Sequence, residues 1–371
     1  MSDHIPFEIQ SEIMNWLPVQ SLLRFRLVCK SWRSLIESSD FVAHYSSQQQ
    51  HLLVRSKSLD DFKEEYVSFV DDDSFPQHKV CATVPPLLNY LEYPVLVGSS
   101  HGLLCFQRNY PPRDMAVIWN PSIRKAVAVV VPHVTFGDPY RTALGFGVCR
   151  ETMDPKIVTI TRSESLNPWQ VEVFTLTTMT WRSPHSTINL LSKSISFLKK
   201  PVVVDGCLYW LARHSIAVED GTFKAYGLIV SFDMTSEEFG EVNLPDRLAH
   251  DYHSYHSLSM YKLKESLVVI EPDLEASKLV YHVWTMEDGV PKTFQKLFTI
   301  SCHSPDVSSF GVRGFRKTCE PLIELQGHPG DNARILVAYE PYSKSISNLG
   351  INGRKGLYYY VYSYMETLLL L

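Results

Sequence analysis

Short strand-like segments that end near an aromatic residue recur along most of this 371-residue chain at a nearly constant interval. Six such aromatic residues are separated in turn by 50, 55, 58, 52 and 55 residues: Phe69, Trp119, Phe174, Phe232, Trp284 and Tyr339. An apolar run precedes each one, and a polar turn with another short strand follows it. Six copies of a four-stranded unit are typical of a β-propeller. A large β-sandwich or two separate β domains would also contain many short strands, so the pattern alone leaves them open.

The two ends of the strand-rich region are complementary. The first unit begins at what would be its second strand, "HLLVR" at 51–55, whereas the apolar segment "GLYYYVYSY" at 356–364 is left without a unit. An unpaired apolar strand edge promotes aggregation, and pairing the last strand with the first unit removes that edge. The sequence therefore predicts an all-β propeller of six blades over 51–366, closed by its C-terminal strand and followed by a tail at 367–371.

The first 45 residues have a helical rather than a strand-like pattern. Ile5, Ile9 and Ile13 recur four residues apart, and further apolar groups follow after Pro18. This pattern predicts about three short helices, joined to the propeller by a linker at 46–50. Helices this short cannot bury so many large apolar residues among themselves, which indicates a protein partner.

Basic residues are concentrated in the second half of this helical segment. Arg24, Arg26, Lys30 and Arg33 occur with no acidic residue between Glu12 and Glu37. Such a run suits a solvated basic surface, and it equally suits a basic rim around an apolar contact with an acidic partner. The sequence alone leaves both interpretations open.

The helical segment resembles the F-box family over about 40 residues. The family's two aliphatic-proline pairs and its Val-Cys-Lys-x-Trp motif correspond to Ile5-Pro6, Leu17-Pro18, Val28-Cys29-Lys30 and Trp32. An isoleucine at the opening position, where the family has leucine, is a mild departure. The resemblance implies docking on a Skp-type adaptor, which binds a cullin. The residues implied in that docking are Ile5, Pro6, Ile9, Ile13, Leu17, Pro18, Leu22, Phe25, Val28, Cys29 and Trp32.

The strand-rich region resembles the plant F-box-associated domain, a kelch-like family, over most of 50–365. The segments "GSSHGLLCF", "VIWNPSIRKAV", "GFGV" and "VDGCLYWL" occur in the family's order, although the paired glycines of true kelch blades are not repeated. Together the two resemblances imply a non-catalytic adaptor subunit of a Skp–cullin–F-box ubiquitin ligase that recruits a protein target. The alternatives are an F-box protein that acts outside a ligase and a propeller enzyme.

Target binding is expected on the loops between the second and third strand of each unit. All six loops leave the same end of their units, at 56–65, 107–114, 161–169, 212–225, 271–278 and 326–333. Recognition usually resides in variable loops on a rigid scaffold, although loops also vary where nothing constrains them. Since Arg, Tyr and Trp dominate protein interfaces, the expected contacts are Arg108, Tyr110, Arg113 and Trp169.

Composition disfavours several other functions. A net charge of −5 argues against a general nucleic-acid binder, and no apolar run approaches the 18 residues expected of a membrane span. Seven scattered cysteines without a C-x-x-C pair argue against a disulfide framework or zinc module and favour the cytoplasm or nucleus. His250, His253 and His256 are assigned to a loop rather than to a metal site, and no cofactor is expected.

Overall fold

The computed structural model describes residues 5–45, 49–57, 64–108, 114–132, 142–161, 169–184, 194–217, 223–250, 258–273, 280–301, 307, 309–327, 334–352 and 358–370. Within these parts, short helices at the N-terminus precede six antiparallel sheets that form the blades of a propeller. The predicted fold class, a small helical unit followed by a six-bladed propeller, is confirmed. None of the described helices has the length and apolar character to cross a membrane.

Four short helices form the N-terminal unit, one more than predicted: α1 (Phe7–Asn15), α2 (Val19–Phe25), α3 (Lys30–Ile36) and α4 (Ser39–His44). The additional helix begins after Ser38, whose Oγ accepts a hydrogen bond from the N–H of Phe41 at 3.2 Å. Phe41 then packs with Leu22 and Ile36 in the core of the unit. A side-chain cap and one buried aromatic ring are therefore enough to stabilise this short helix.

Blades 1 to 3 each contain four strands, which follow one another from the inner to the outer edge of the blade. Blade 1 consists of β25 (Tyr358–Met365), β1 (Gln50–Lys57), β2 (Glu64–Val70) and β3 (Lys79–Cys81). Blade 2 consists of β4 (Pro94–Ser100), β5 (Leu103–Arg108), β6 (Met115–Asn120) and β7 (Lys125–Val130). Blade 3 consists of β8 (Thr142–Val148), β9 (Pro155–Thr161), β10 (Gln170–Thr175) and β11 (Thr180–Arg182).

Blades 4 to 6 follow the same order. In blade 4 the inner edge is divided between two short strands, so its elements are β12 (Ile195–Phe197), β13 (Val202–Val204), β14 (Cys207–Ala217), β15 (Phe223–Asp233) and β16 (Phe239–Asn243). Blade 5 consists of β17 (Ser259–Leu263), β18 (Ser266–Pro272), β19 (Val280–Glu287) and β20 (Thr293–Ser301). Blade 6 consists of β21 (Ser309–Phe315), β22 (Pro321–Gln326), β23 (Arg334–Tyr339) and β24 (Ile346–Asn352). Two short helices precede blades 2 and 5: α5 (Pro86–Asn89) and α6 (Asp246–His250).

The C-terminal strand closes the ring, as the sequence predicts. Strand β25 pairs antiparallel with β1, from Tyr364 opposite His51 to Tyr358 opposite Lys57. A buried ion pair between Arg316 of blade 6 and Asp71 of blade 1, with Nε and Oδ1 2.9 Å apart, reinforces the closure. Blades 6 and 1 are therefore joined by side chains as well as by the shared strand.

The recurrent aromatic residues lie at the interfaces between blades, which explains their spacing. Each belongs to the hydrophobic cluster that joins its own blade to the preceding one: Phe69, Trp119, Phe174, Phe232, Trp284 and Tyr339. Trp119 of blade 2, for example, packs with Leu53 and Tyr66 of blade 1. Because every interface needs one large side chain at the same place, the chain repeats an aromatic residue once per blade.

Candidate protein-binding surfaces

The helical unit exposes most of the apolar residues that were predicted to contact an adaptor. Seven of the eleven are exposed: Ile5, Pro6, Ile9, Ile13, Pro18, Val28 and Cys29. Ile9 and Ile13 are one turn apart on α1 and are 44% and 47% exposed, whereas Met14 on the same helix is buried. Helix α1 therefore has two apolar faces, and the described part of the chain covers only one of them.

The other four predicted contact residues stabilise the helical unit itself. Leu22 is fully buried in its core and makes no surface, so its assignment as a contact residue was wrong. Leu17, Phe25 and Trp32 are half-buried. The Phe25 and Trp32 rings are 5.1 Å apart, and Trp32 Nε1 donates to Gln10 Oε1 at 2.7 Å. Cys29 also has a local role, because its Sγ caps α3 by accepting a hydrogen bond from the N–H of Trp32.

Three further apolar residues of the unit are exposed, although the sequence pattern did not single them out as contacts. Phe7 opens α1, Trp16 follows its last residue and is 72% exposed, and Leu27 lies between α2 and α3 and is 87% exposed. Leu27 precedes Val28 directly, so the apolar surface extends through that turn. For Trp16 and Leu27 the available signal was a large apolar residue in a turn, where polar residues are the rule.

The basic run of the helical unit is partly neutralised. Glu37 accepts hydrogen bonds from the Nε atoms of Arg26, at 3.0 Å, and Arg33, at 3.1 Å. These bonds, with the one from Arg26 foremost, lower the pKa of Glu37 below its usual value. Arg24 and Lys30 remain exposed. Arg33 is also exposed although it contacts Glu37, so three of the four cations of this run are accessible to an acidic partner, and both interpretations stay open.

The last residues of the chain join the helical unit to the propeller. The sequence assigned 367–371 to a tail, but Thr367, Leu368 and Leu369 are buried. Leu368 lies in the core of the helical unit, whereas Leu369 packs between blades 2 and 3. Asn120 Nδ2 at the end of β6 donates to the carbonyl oxygens of Thr367, at 2.9 Å, and Leu369, at 2.7 Å. We call residues 366–370 the C-terminal anchor.

The loops that were predicted to bind the target lie largely outside the described residues. Tyr110 and Arg113 lie outside the described residues, and their role in target binding stays a prediction. Arg108 ends β5 and is half-buried, and its Nη2 donates to the carbonyl oxygen of Tyr90 at 3.1 Å. It lines a groove of about 300 Å³ together with Lys199 and Lys200.

Trp169 does not belong to an exposed surface, contrary to its selection from the sequence. It is only 4% exposed and packs between blades 3 and 4, where its ring centroid is 5.5 Å from that of Phe197. Its indole ring stabilises the blade interface, because removing a large apolar side chain from water contributes more favourable free energy than removing a small one. Trp169 therefore stabilises the interface between blades 3 and 4 and is not available to contact a target.

Metal binding has no candidate site among the side chains that the structure describes. No group of three or more His, Cys, Asp or Glu residues comes together there. His253 and His256 lie outside the described residues, and the side chain of His250 is likewise not described.

Comparison with known proteins identifies both parts of the chain. Residues 2–44 match the F-box domain, and residues 94–358 match the F-box associated beta propeller domain. The Arabidopsis thaliana F-box/kelch-repeat protein At3g23880 is 26% identical over 260 residues, covering 65% of this chain and 66%, slightly under two thirds, of that protein. The putative F-box protein At5g52610 of Arabidopsis thaliana is 27% identical over 333 residues, covering 84% and 83%.

Similarity to solved structures is more distant. An oligogalacturonate lyase in complex with manganese aligns with a TM-score of 0.39 at 10% identity, covering 80% of this chain and 78% of the lyase chain. Similarity at that level carries no argument about function. The matches to both domain families cover most of the chain, and the chain belongs to the F-box proteins with an F-box-associated β-propeller domain.

Proposed function

We propose that this chain is the substrate-recruiting subunit of a Skp–cullin–F-box ubiquitin ligase. The observation that carries the proposal is the uncovered apolar face of α1, in which Ile9 and Ile13 remain exposed although the helix is already packed through Met14. An apolar surface of this kind on a small helical unit is typical of a docking site. The F-box motif in the same residues makes a Skp-type adaptor the partner, and a cullin binds through that adaptor.

The attachment of the helical unit to the propeller supports the same role. Leu368 packs among the helices while Leu369 packs between blades, so the C-terminal anchor bridges both parts. A ligase subunit must hold its target at a defined position relative to the adaptor, and a packed connection does this better than a flexible linker. The target site on the propeller thereby stands in a constant geometry to the docking site.

We assign target recruitment to the propeller face that carries Arg108, with Tyr110 and Arg113 in the adjoining loop. Arg108 supports the assignment because it is accessible at the edge of a groove.

We assign no reaction to the propeller. The two acidic residues that line the cavity on its axis, Asp205 and Glu265, are each paired with a cation. The cysteines in the described parts are all free, which supports work in the cytoplasm, the nucleus or both.

Adaptor docking is tested by copurification. Changing Ile9 and Ile13 together to Asp in the full-length chain should abolish binding of a Skp-type adaptor and of cullin, while the melting temperature stays unchanged. The matched control is Val130→Asp, which also places a charge at an exposed apolar position but on the outer strand of blade 2. Unchanged adaptor binding by the double variant would refute the docking assignment. Adaptor binding without cullin would point to a role outside a ligase.

Target recruitment is tested with the triple variant Arg108→Ala, Tyr110→Ala and Arg113→Ala. Proteins that accumulate when this chain is deleted supply the target, whose ubiquitination is then followed in cells that express either form. We expect the triple variant to lose target ubiquitination and to retain adaptor binding. Lys296→Ala, on an exposed strand of blade 5, is the control for loss of positive charge. Normal ubiquitination by the triple variant would move the target site elsewhere on the propeller.

A further inference from the structure

A cavity of about 790 Å³ lies on the propeller axis. Its walls come from the inner strands, among them β4, β13, β17, β21 and β25, with Arg150 contributed by blade 3. Sites for small molecules usually occupy between about 300 and 1,000 Å³. The cavity therefore has the size of a small-molecule site. Folded proteins instead dock on broad surfaces of many residues.

Positive charge predominates on the walls of this cavity. The lining includes eight Lys and Arg residues and two Asp and Glu residues, whereas the whole chain has a net charge of −5. Several cations are neutralised: Arg150 by Asp205, Lys262 by Glu265, Arg313 by Glu324 and Arg316 by Asp71. Lys199 and Lys200 form no ion pair with any residue of the described ranges. Lys264 and Lys317 of the same cavity are likewise without an ion pair in the described ranges, but only Lys199 and Lys200 also line the groove of Arg108.

The position of Lys199 and Lys200 follows from an interruption in blade 4. Strands β12 and β13 both pair with β14, and residues 198–201 lie between them instead of continuing the inner strand. Pro201 ends this segment, and a proline cannot donate the ladder hydrogen bond that a regular strand would require. Both lysines consequently line the axial cavity on one side and the groove of Arg108 on the other.

The surroundings of Lys200 are unfavourable for a lone ammonium group. Desolvation, and after it the charge of Arg55, lowers the pKa of Lys200 to about 8. The side chain still reaches solvent through the cavity, so a ligand can approach it. A cation held in such a place is stabilised when an anion supplies the missing counter-charge.

We propose that Lys199 and Lys200 form a binding site for a small polyanion, a ligand with two or more phosphate or carboxylate groups, at the wall between the axial cavity and the groove of Arg108. Two consecutive lysines that line the same cavity, without ion pairs in the described ranges, supply six N–H donors, and polyanions need several such donors at once. The volume of the cavity favours a small molecule over an acidic segment of another protein. The site is separate from the apolar face of α1.

Calorimetric titration of the full-length chain tests the site. Tripolyphosphate and citrate are the probes, at constant ionic strength, with potassium chloride as the blank. We expect at least one of them to bind in a one-to-one ratio and to raise the melting temperature. Binding of tripolyphosphate alone identifies a phosphate ligand, and binding of citrate alone identifies a carboxylate ligand. If neither probe binds more tightly than the blank, the proposal is overturned.

Variants separate this site from general attraction of anions to the protein. Lys199→Gln combined with Lys200→Gln should weaken binding by about tenfold or more. Lys296→Gln, which removes an exposed lysine from β20, should bind like the unchanged chain. Equal weakening by both variants, or none by the double variant, would overturn the site. The melting temperature of the double variant should equal or exceed that of the unchanged chain. A loss of binding then reflects the missing lysines and not a loss of folding.

A ten-residue peptide rich in Asp and Glu provides the last comparison. We expect it to bind at least about tenfold more weakly than the better small probe, because a peptide chain loses more conformational freedom on binding in a cavity of this size. If the peptide binds and neither small probe does, the small-ligand proposal is wrong and the lysines belong to a surface for acidic proteins.

Discussion

The backbone N–H of Val19 donates a hydrogen bond to Oε2 of Glu366 at 3.0 Å, although 347 residues separate the two in sequence. Val19 is the first residue of α2, and Pro18 before it has no side chain that could cap the helix. The first N–H groups of a helix lack partners within it, and the helix dipole favours a carboxylate at that end. Glu366, which follows the last strand of the propeller, thus caps a helix of the F-box.

Changes in the C-terminal anchor should loosen the helical unit. Leu368→Ala should lower the stability of the helices by about 3 kcal/mol, because Leu368 is fully buried among them. Glu366→Gln should have a smaller effect of about 0.5 kcal/mol, because it weakens only the cap. Hydrogen exchange of residues 7–45 measures both effects. Leu297→Ala, an exposed leucine of β20, is the control and should change exchange little. Equal protection in Leu368→Ala would show that the anchor does not stabilise the F-box.

Two leucines of the helical unit should behave in opposite ways. Leu27 is 87% exposed and Leu22 is fully buried, so the same substitution tests contact in one case and packing in the other. Leu27→Ala should weaken adaptor binding by about 2 kcal/mol and leave the melting temperature unchanged. Leu22→Ala should destabilise the helices by about 3 kcal/mol. Denaturant unfolding and adaptor titration measure the two quantities. Full adaptor affinity in a folded Leu27→Ala chain would remove Leu27 from the contact surface.

Two truncations distinguish ring closure from anchoring of the helices. A chain that ends after Lys355 lacks β25, so it exposes the edge of β1 and should be insoluble or strongly destabilised. A chain that ends after Met365 keeps β25 and should retain a closed, soluble propeller with poorly protected helices. Sedimentation and thermal unfolding followed by circular dichroism report the difference. A soluble chain of 355 residues with unchanged melting would rule out closure by the C-terminal strand.

Lys200 should lower stability near neutral pH in the absence of a ligand. Its pKa falls from 10.5 to about 8, chiefly by desolvation and then by Arg55. Below pH 8 the amine is protonated in both states, and the unfavourable desolvation of its charge counts in full. Between pH 8 and 10.5 the folded chain releases the proton first, so the unfolded chain binds more protons and stability rises with pH. The Lys200→Met variant should therefore have a higher melting temperature than the unchanged chain at pH 7. The difference between the two melting temperatures should shrink towards pH 10. Equal melting temperatures at pH 7, or a difference that stays constant up to pH 10, would contradict the lowered pKa of Lys200.

The blade pattern was predictable because it is local and repeated. One aromatic residue per blade fills each interface, so the spacing of Phe69, Trp119 and their successors indicated both the architecture and the number of blades. The surface residues were harder to predict. Trp169 looked like an interface anchor because of its type and its loop position, but it packs against Phe197 of blade 4. Residue type indicates how much area is available for burial and does not indicate which partner covers it.

The F-box motif located the helical unit, but it did not separate contact residues from core residues. Ile9, Ile13 and Leu22 have the same apolar character, and only packing shows that Leu22 points inward. Leu27 lies in a turn, outside the helical periodicity on which the prediction rested. In short helices, one residue of displacement turns a side chain by about 100°, so helical pattern alone assigns faces poorly.

The sequence by itself determined the elements and their order: an F-box, a ring of six repeated blades, and a spare strand at the end to close it. These features depend on periodicity and on neighbours close in the chain. Only the tertiary structure decided that 366–370 anchors the helices and that Lys199 and Lys200 face the axial cavity. The reason is physical, since both depend on contacts between distant segments, and a buried Leu368 or an unpaired Lys200 is defined by its surroundings.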